Sequence, residues 1–140
     1  PTLSMMTEFA VRYMEQHFPN GYILIAEGAY MDKRSHENNL AGMMRHMRNF
    51  DITVESVCRT LSDQQGVAVL VTADHECGGL KLAKNKSELD RSLYTSKHHT
   101  AVDVPYFIRL QIASGVPADY FTERMDNTDI YRIMRSLLGV

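Results

Sequence analysis

Apolar positions recur along this chain with two periods. Over SMMTEFAVRYMEQH, residues 4–17, they fall at Met6, Phe9, Ala10, Tyr13 and Met14. Steps of three and four predict an amphipathic helix with Ser4 as its N-cap. FPNG breaks it. YILIAE, 22–27, is a continuous apolar run of strand length, as expected of a strand covered on both faces. From about 37 to 62 the apolar positions are Leu40, Met43, Met47, Phe50, Val54, Val57 and Leu61, which predicts a long helix ended by DQQG. VAVLVT, 67–72, reads as a second buried strand, and GLKLA, 79–83, as a short third. Residues 84–97 are polar and read as a surface excursion. TAVDVPYFIRLQ, 100–111, alternates weakly as a further strand, with Pro105 disfavouring a central position. NTDIYRIMRSLLG closes as a helix, capped by Asn127 or Thr128 and followed by Gly139.

Helix, strand, helix, strand is the order of an α/β layer with parallel strands. In such sheets functional groups gather just past the carboxyl ends of the strands. Here the first predicted strand runs into EGAYMDKRSH and the second into ADHECGG. Both ends carry acids and imidazoles.

Bulk properties narrow the function classes. The 140 residues suit one domain or a large piece of one. A net charge of -2 offers no strong field for nucleic acid or an anionic membrane. No apolar run approaches the roughly 20 residues that span a bilayer. The start, PTLSMMTEF, has neither an initiator Met nor a basic-then-apolar leader, so an excised segment is expected. Cys58 and Cys77 fix no disulfide framework and read as two free thiols.

The candidate chemistry is metal ligation. Asp32 and His36 lie four apart, so on one helical turn both side chains point the same way. Asp74 and His75 can share an ion only if the chain turns there, which Gly78 and Gly79 favour. His98 and His99 stand together before TAVDVP, and Glu27 closes the first strand. Singly, each also reads as an ordinary surface acid or loop histidine. His17 and His46 have no acid at useful spacing. Histidine and carboxylate donors suit zinc, and a carboxylate in an all-oxygen set suits magnesium.

EGAYMDKRSHENN, then VTADHECGGL, then HHTAVDVP resemble the carboxyl-terminal half of alkaline phosphatases. PTLSMMTEFAV, FDITVESV and NTDIYRIMRSLLG fit the same family, so the resemblance covers nearly the whole chain. It implies a three-layer αβα sandwich with a mostly parallel central sheet, of which residues 1–140 are the carboxyl-terminal portion. It implies hydrolysis of phosphate monoesters through a phosphoserine, with two zinc ions and one magnesium. Carried over by position, Asp32, His36 and His99 are similar to the ligands of one zinc. Asp74 and His75 are similar to ligands of the second, and Glu27 to a magnesium ligand. Lys33 matches a lysine that some members place near the phosphate. His99 is preferred to His98 because Thr100 follows it, as a threonine follows the family's ligand. Ala101 replaces a frequent glycine, and Cys77 stands where threonine is common. The nucleophilic serine, the bridging acid, a threonine ligand and a phosphate-binding arginine have no match here. The resemblance therefore implies that the missing amino-terminal half is a partner, that the segment alone is inactive, and that the protein is exported and often dimeric. Two alternatives stand beside it: a related metal-dependent phosphodiesterase or phosphomutase, and a non-catalytic metal-binding module.

Overall fold

Four helices and two small antiparallel sheets make up the computed structural model, which describes residues 1–81, 93–111 and 121–139. Helix α1 (Leu3–His17) is capped two residues earlier than expected. The Thr2 hydroxyl, not Ser4, accepts the Met5 N–H at 3.2 Å. The helix packs on α3 (Leu40–Thr60). Its buried positions are Thr7 and Val11, four apart, and the Ser56 hydroxyl of α3 donates to Glu8 beside them. The apolar stripe expected to face a core lies largely outside this contact. Met5, Met6, Tyr13 and above all Phe9, 72% exposed, face away from the protein.

Helix α2 (Tyr30–His36) is separate from α3, which begins at Leu40, a little after the start at about residue 37 that the periodicity predicts. Asn38 takes a left-handed φ of 53°, and the Asn39 side chain then caps α3 by accepting the Gly42 N–H at 2.9 Å. Leu40 and Met43 of α3 are buried and Met47 is half-exposed, whereas Thr53 is buried outside the predicted stripe.

The sheets differ from the expected arrangement. Strand β1 (Val67–Thr72) pairs antiparallel with β4 (Tyr106–Gln111), from Val67 opposite Gln111 to Thr72 opposite Tyr106. Strands β2 (Glu76–Cys77) and β3 (His99–Thr100) form the other sheet. A mostly parallel central sheet does not occur among the described residues. The run 22–27 joins no ladder, and Ile25 is 80% exposed. A strand exists by its neighbour's hydrogen bonds, and no described segment pairs with this run to supply them. For the same reason β1 is only half-buried instead of covered on both faces. Pro105 sits just before β4, so its missing N–H costs the ladder nothing. No strand forms over residues 79–81, and the rest of GLKLA lies outside the described residues.

The core beneath α2 and α3 is Leu40, Met43 and Tyr94, with Met31, Leu80 and Leu93 against it. Tyr94, 7% exposed, corrects the reading of 84–97 as wholly surface, although 84–92 lie outside the described residues. Helix α4 (Asn127–Leu138) opens with a capping box. Asp126 is its cap, one residue earlier than expected, and it and Asp129 each accept the other end's N–H. Gly139, at φ 72°, ends it. Ile133, 2% exposed, anchors this helix. Replacing it should cost about 1 kcal/mol as Ile133→Val and about 2–5 kcal/mol as Ile133→Ala, read from denaturant midpoints.

Candidate metal centre

Three segments distant in sequence meet at one point. Helix α2 carries Asp32 and His36 on one face, and strand β3 brings His99 to them. His36 Nε2 lies 3.1 Å from His99 Nε2. Asp32 Oδ1 lies 3.4 Å from His36 Nε2 and 3.3 Å from His99 Nε2. Cys77 Sγ joins the same group, in which all four donor atoms lie within 4.8 Å of one another.

Two features make this group a set of lone pairs without enough protons. His36 Nδ1 faces the Lys97 carbonyl at 2.5 Å. A carbonyl can only accept, so Nδ1 carries the proton and a neutral His36 turns the bare lone pair of Nε2 inward. Asp32 Oδ1 is shut off from solvent and accepts no hydrogen bond. A buried carboxylate oxygen without a donor is costly unless a cation completes it. These donors fit a zinc-type ion, with two imidazoles and one carboxylate at mutual distances natural to a tetrahedral site.

The hairpin strands position the donors by register. Cys77 is opposite His99, and Glu76 is opposite Thr100. Opposed residues share a face and neighbours alternate. Cys77 and His99 therefore turn toward Asp32, while Glu76 and Thr100 turn away. On that second face the Glu76 carboxylate accepts from Gly79 N–H and Leu80 N–H, each at 3.1 Å, and from the Thr100 hydroxyl. Partial burial would raise the Glu76 carboxyl. The bonds from Thr100, Leu80 and Gly79, with His75 nearby, outweigh it and hold the carboxyl below the usual glutamate range. Burial first, then the hydrogen bond and charge of Asp32, pushes the Cys77 thiol up to about 12.

Gly78 closes the turn. Its φ is +92°, and a Cβ there would come within 2.5 Å of the Tyr94 ring. Its N–H donates to the His98 carbonyl at 3.0 Å, which ties β3 to the turn.

The other predicted residues lie at graded distance from this centre. Asp74 and His75 pair with each other at 3.3 Å just past β1, with Asp74 86% exposed at its side chain. The His75 ring stacks on His99 at 3.5 Å between centroids, so this pair adjoins the first group. A cavity of about 310 Å³ opens beside it, lined in part by Thr72, Asp103, Tyr106 and Arg124. Glu27 is exposed and belongs to no donor group among the described residues. Lys33 places its Nζ 4.8 Å over the Tyr30 ring. His98 is exposed and outside the donor group. Sequence reasoning noticed Cys77 only as a neighbour of the loop and passed over Glu76. The signal for both was the two-residue alternation of HEC against HT.

The alkaline phosphatase family pattern matches residues 1–89. Alkaline phosphatase 4 of Bacillus subtilis is 25% identical over 93% of this chain, which corresponds to 27% of that protein. The alkaline phosphatase of Escherichia coli is 27% identical across the whole chain and 32% of its own length. The chain thus spans about a quarter to a third of these relatives. Among solved structures, a TAB5 alkaline phosphatase variant with magnesium bound superposes with a TM-score of 0.79 over 98% of this chain and 41% of that one, at 23% identity. That likeness concerns the fold.

The Glu76–Thr100 tie is testable apart from any activity. Glu76→Ala should destabilise the protein by roughly 1–2 kcal/mol, as loss of a charge-assisted hydrogen bond does. In a double-mutant cycle with Thr100→Val the two losses should not add. Additive losses in denaturant midpoints would mean that the two groups do not act together.

Proposed function

The chain belongs to the alkaline phosphatase family, and we propose that it forms the carboxyl-terminal portion of an enzyme that hydrolyses phosphate monoesters. In this reading Asp32, His36 and His99 hold one zinc ion. Asp74 and His75 contribute to a second, and Glu27 contributes to a magnesium site. The observation that carries the reading is the convergence of Asp32, His36 and His99 around a carboxylate oxygen that has no hydrogen-bond donor.

Held by these residues, such ions would supply charge stabilisation to the attacking and leaving oxygens of a phosphoryl transfer. The chain's own residues prepare that geometry. Lys97 fixes the tautomer of His36 through its carbonyl. The stack of His75 on His99 keeps the second pair next to the first. The cavity beside Asp74 and His75 gives room for the organic part of an ester.

The serine that takes the phosphoryl group is assigned to the rest of the protein. Ser35 is buried and its hydroxyl donates to the Met31 carbonyl at 2.9 Å, and Ser62 donates to Asp63. Neither lines the cavity beside Asp74 and His75. The mostly parallel sheet of a three-layer sandwich is part of the same proposal. The run 22–27 takes its ladder partners from the remaining chain, and Glu27 is placed by that pairing. Lys33 would then have to leave Tyr30 to reach a phosphate. A homodimer and export to the periplasm or medium belong to this reading too. No helix among the described residues is long and apolar enough to cross a membrane.

The assay uses the whole protein on an aryl phosphate monoester and on the matching diester, with zinc and magnesium present. Monoester turnover should dominate and should fall at least about a hundredfold in Asp32→Ala, His36→Ala or His99→Ala, the scale of losing one electrostatic stabiliser. Chelation should abolish it and zinc restore it. Residues 1–140 alone should bind zinc by calorimetry, more weakly than the whole protein, yet turn over no monoester. Turnover indifferent to His99→Ala would overturn the metal assignment, and preference for the diester would move the protein to a sibling activity.

A further inference from the structure

We infer that Cys77 supplies a sulfur donor to the ion held by Asp32, His36 and His99. This rests on the reading of that group as a metal site. Three observations carry it. The Cys77 Sγ already lies within 4.8 Å of each of the three other donors. The β2–β3 register places Cys77 directly opposite His99, on the same face of the hairpin, so no backbone rearrangement is needed to aim it inward. The sulfur has no strong competing engagement, since its one hydrogen bond is a 3.8 Å contact to the Asp32 carbonyl.

The metric fits. Zinc bonds of about 2.3 Å to sulfur and about 2.0 Å to nitrogen put the two donors roughly 3.5 Å apart in a tetrahedron. The present separations, all within 4.8 Å, exceed that by at most roughly an ångström. On binding, the S–H bond breaks and the S–metal bond forms. The proton leaves to solvent, and nothing is oxidised or reduced.

The consequence is a different kind of first site. Two imidazoles and a carboxylate leave the fourth position open, which suits catalysis. A thiolate fills it and makes the resting site closed and softer, favouring zinc and cadmium over magnesium. Cys77 thus becomes a residue that sets metal choice and tunes access to the ion.

Cobalt(II) titration tests this by spectrum and not by turnover. The metal-free protein is titrated with cobalt(II), and with zinc in competition, as wild type, Cys77→Ser, Cys58→Ser and His99→Ala. Circular dichroism checks that each variant is folded. The expected result is a sulfur-to-cobalt charge-transfer band in the near ultraviolet. It persists in Cys58→Ser, disappears in Cys77→Ser and accompanies a fall in zinc affinity of about tenfold or more, the scale of even outer-sphere substitutions. Cobalt bound with His99-dependent visible bands but no sulfur band in wild type overturns the Cys77 proposal and leaves the three-ligand site standing. Cobalt binding that ignores His99→Ala overturns both. The wild-type spectrum decides even if a variant fails to fold.

Discussion

The pairing of Glu76 and Cys77 with Thr100 and His99 sorts four side chains onto two faces, and the centre depends on that sorting. One face presents donors to Asp32. The other locks the turn through the Glu76 carboxylate, which gathers two backbone N–H groups and a hydroxyl. A slip of one residue would exchange the faces and send His99 outward. Such a short ladder would not hold its register by backbone bonds alone. Glu76 and the Gly78 contacts to His98, Thr95 and Ser96 supply the rest. The left-handed Gly78, pressed against Tyr94, then joins this register to the Leu40 and Met43 core.

Much of the centre was legible because it rests on local rules. Four-residue spacing predicted that Asp32 and His36 would share a helical face. The apolar run VAVLVT predicted a strand that delivers Asp74 and His75 at its end. Sequence order could not show that β3 would lie against β2, because pairing across more than twenty residues is a property of the whole chain. Cys77 and Glu76 were hidden for that reason. Helix ends were misplaced by a residue or two, since Thr2 and Asp126 compete as caps with their neighbours Ser4 and Asn127. The long helix was over-extended because Asn38 adopts a left-handed φ that periodicity does not register. The strand at 22–27 and the parallel sheet failed differently. Composition marks an apolar segment as fit for burial, but a ladder needs a partner, and none is present among the described residues.

The same logic explains where apolar side chains face water. Phe9 and its neighbours on α1, Ile23 to Ile25, and Phe107 of β4 are all substantially exposed. Scattered exposed apolar residues are ordinary, whereas continuous stripes and runs mark contact surfaces. Here they belong to one helix face, one extended run and one sheet, which are the kinds of surface that a layered α/β protein covers. The chain also corresponds to only 27–32% of two of its relatives. Under the proposed function the remaining protein covers these surfaces, so the sequence pattern and the exposure are consistent with each other.

The donors at the centre are arranged against their own interest when no ion is bound. His36 and His99 present nitrogens 3.1 Å apart, and only one of the pair can donate to the other in the neutral state. Protonating both would put two like charges in contact, with Asp32 as the one carboxylate of the donor group between them. Asp32 Oδ1, 3.4 and 3.3 Å from the two Nε2 atoms, has no hydrogen-bond partner as the side chains stand. What holds them together is the surrounding structure: the turn of α2, the Lys97 carbonyl, and the β2–β3 register. Under the proposed function a cation would take the lone pairs of all three side chains at once, where the neutral pair of imidazoles can share only one proton between them. Under the proposed function, ion binding and the local order of α2, the turn and β3 reinforce each other by linkage, because an ion that binds the ordered centre better than the disordered one stabilises that order. Since α2 also packs on α3 and β2, this stabilisation extends past the ligands to the helix layer that positions them.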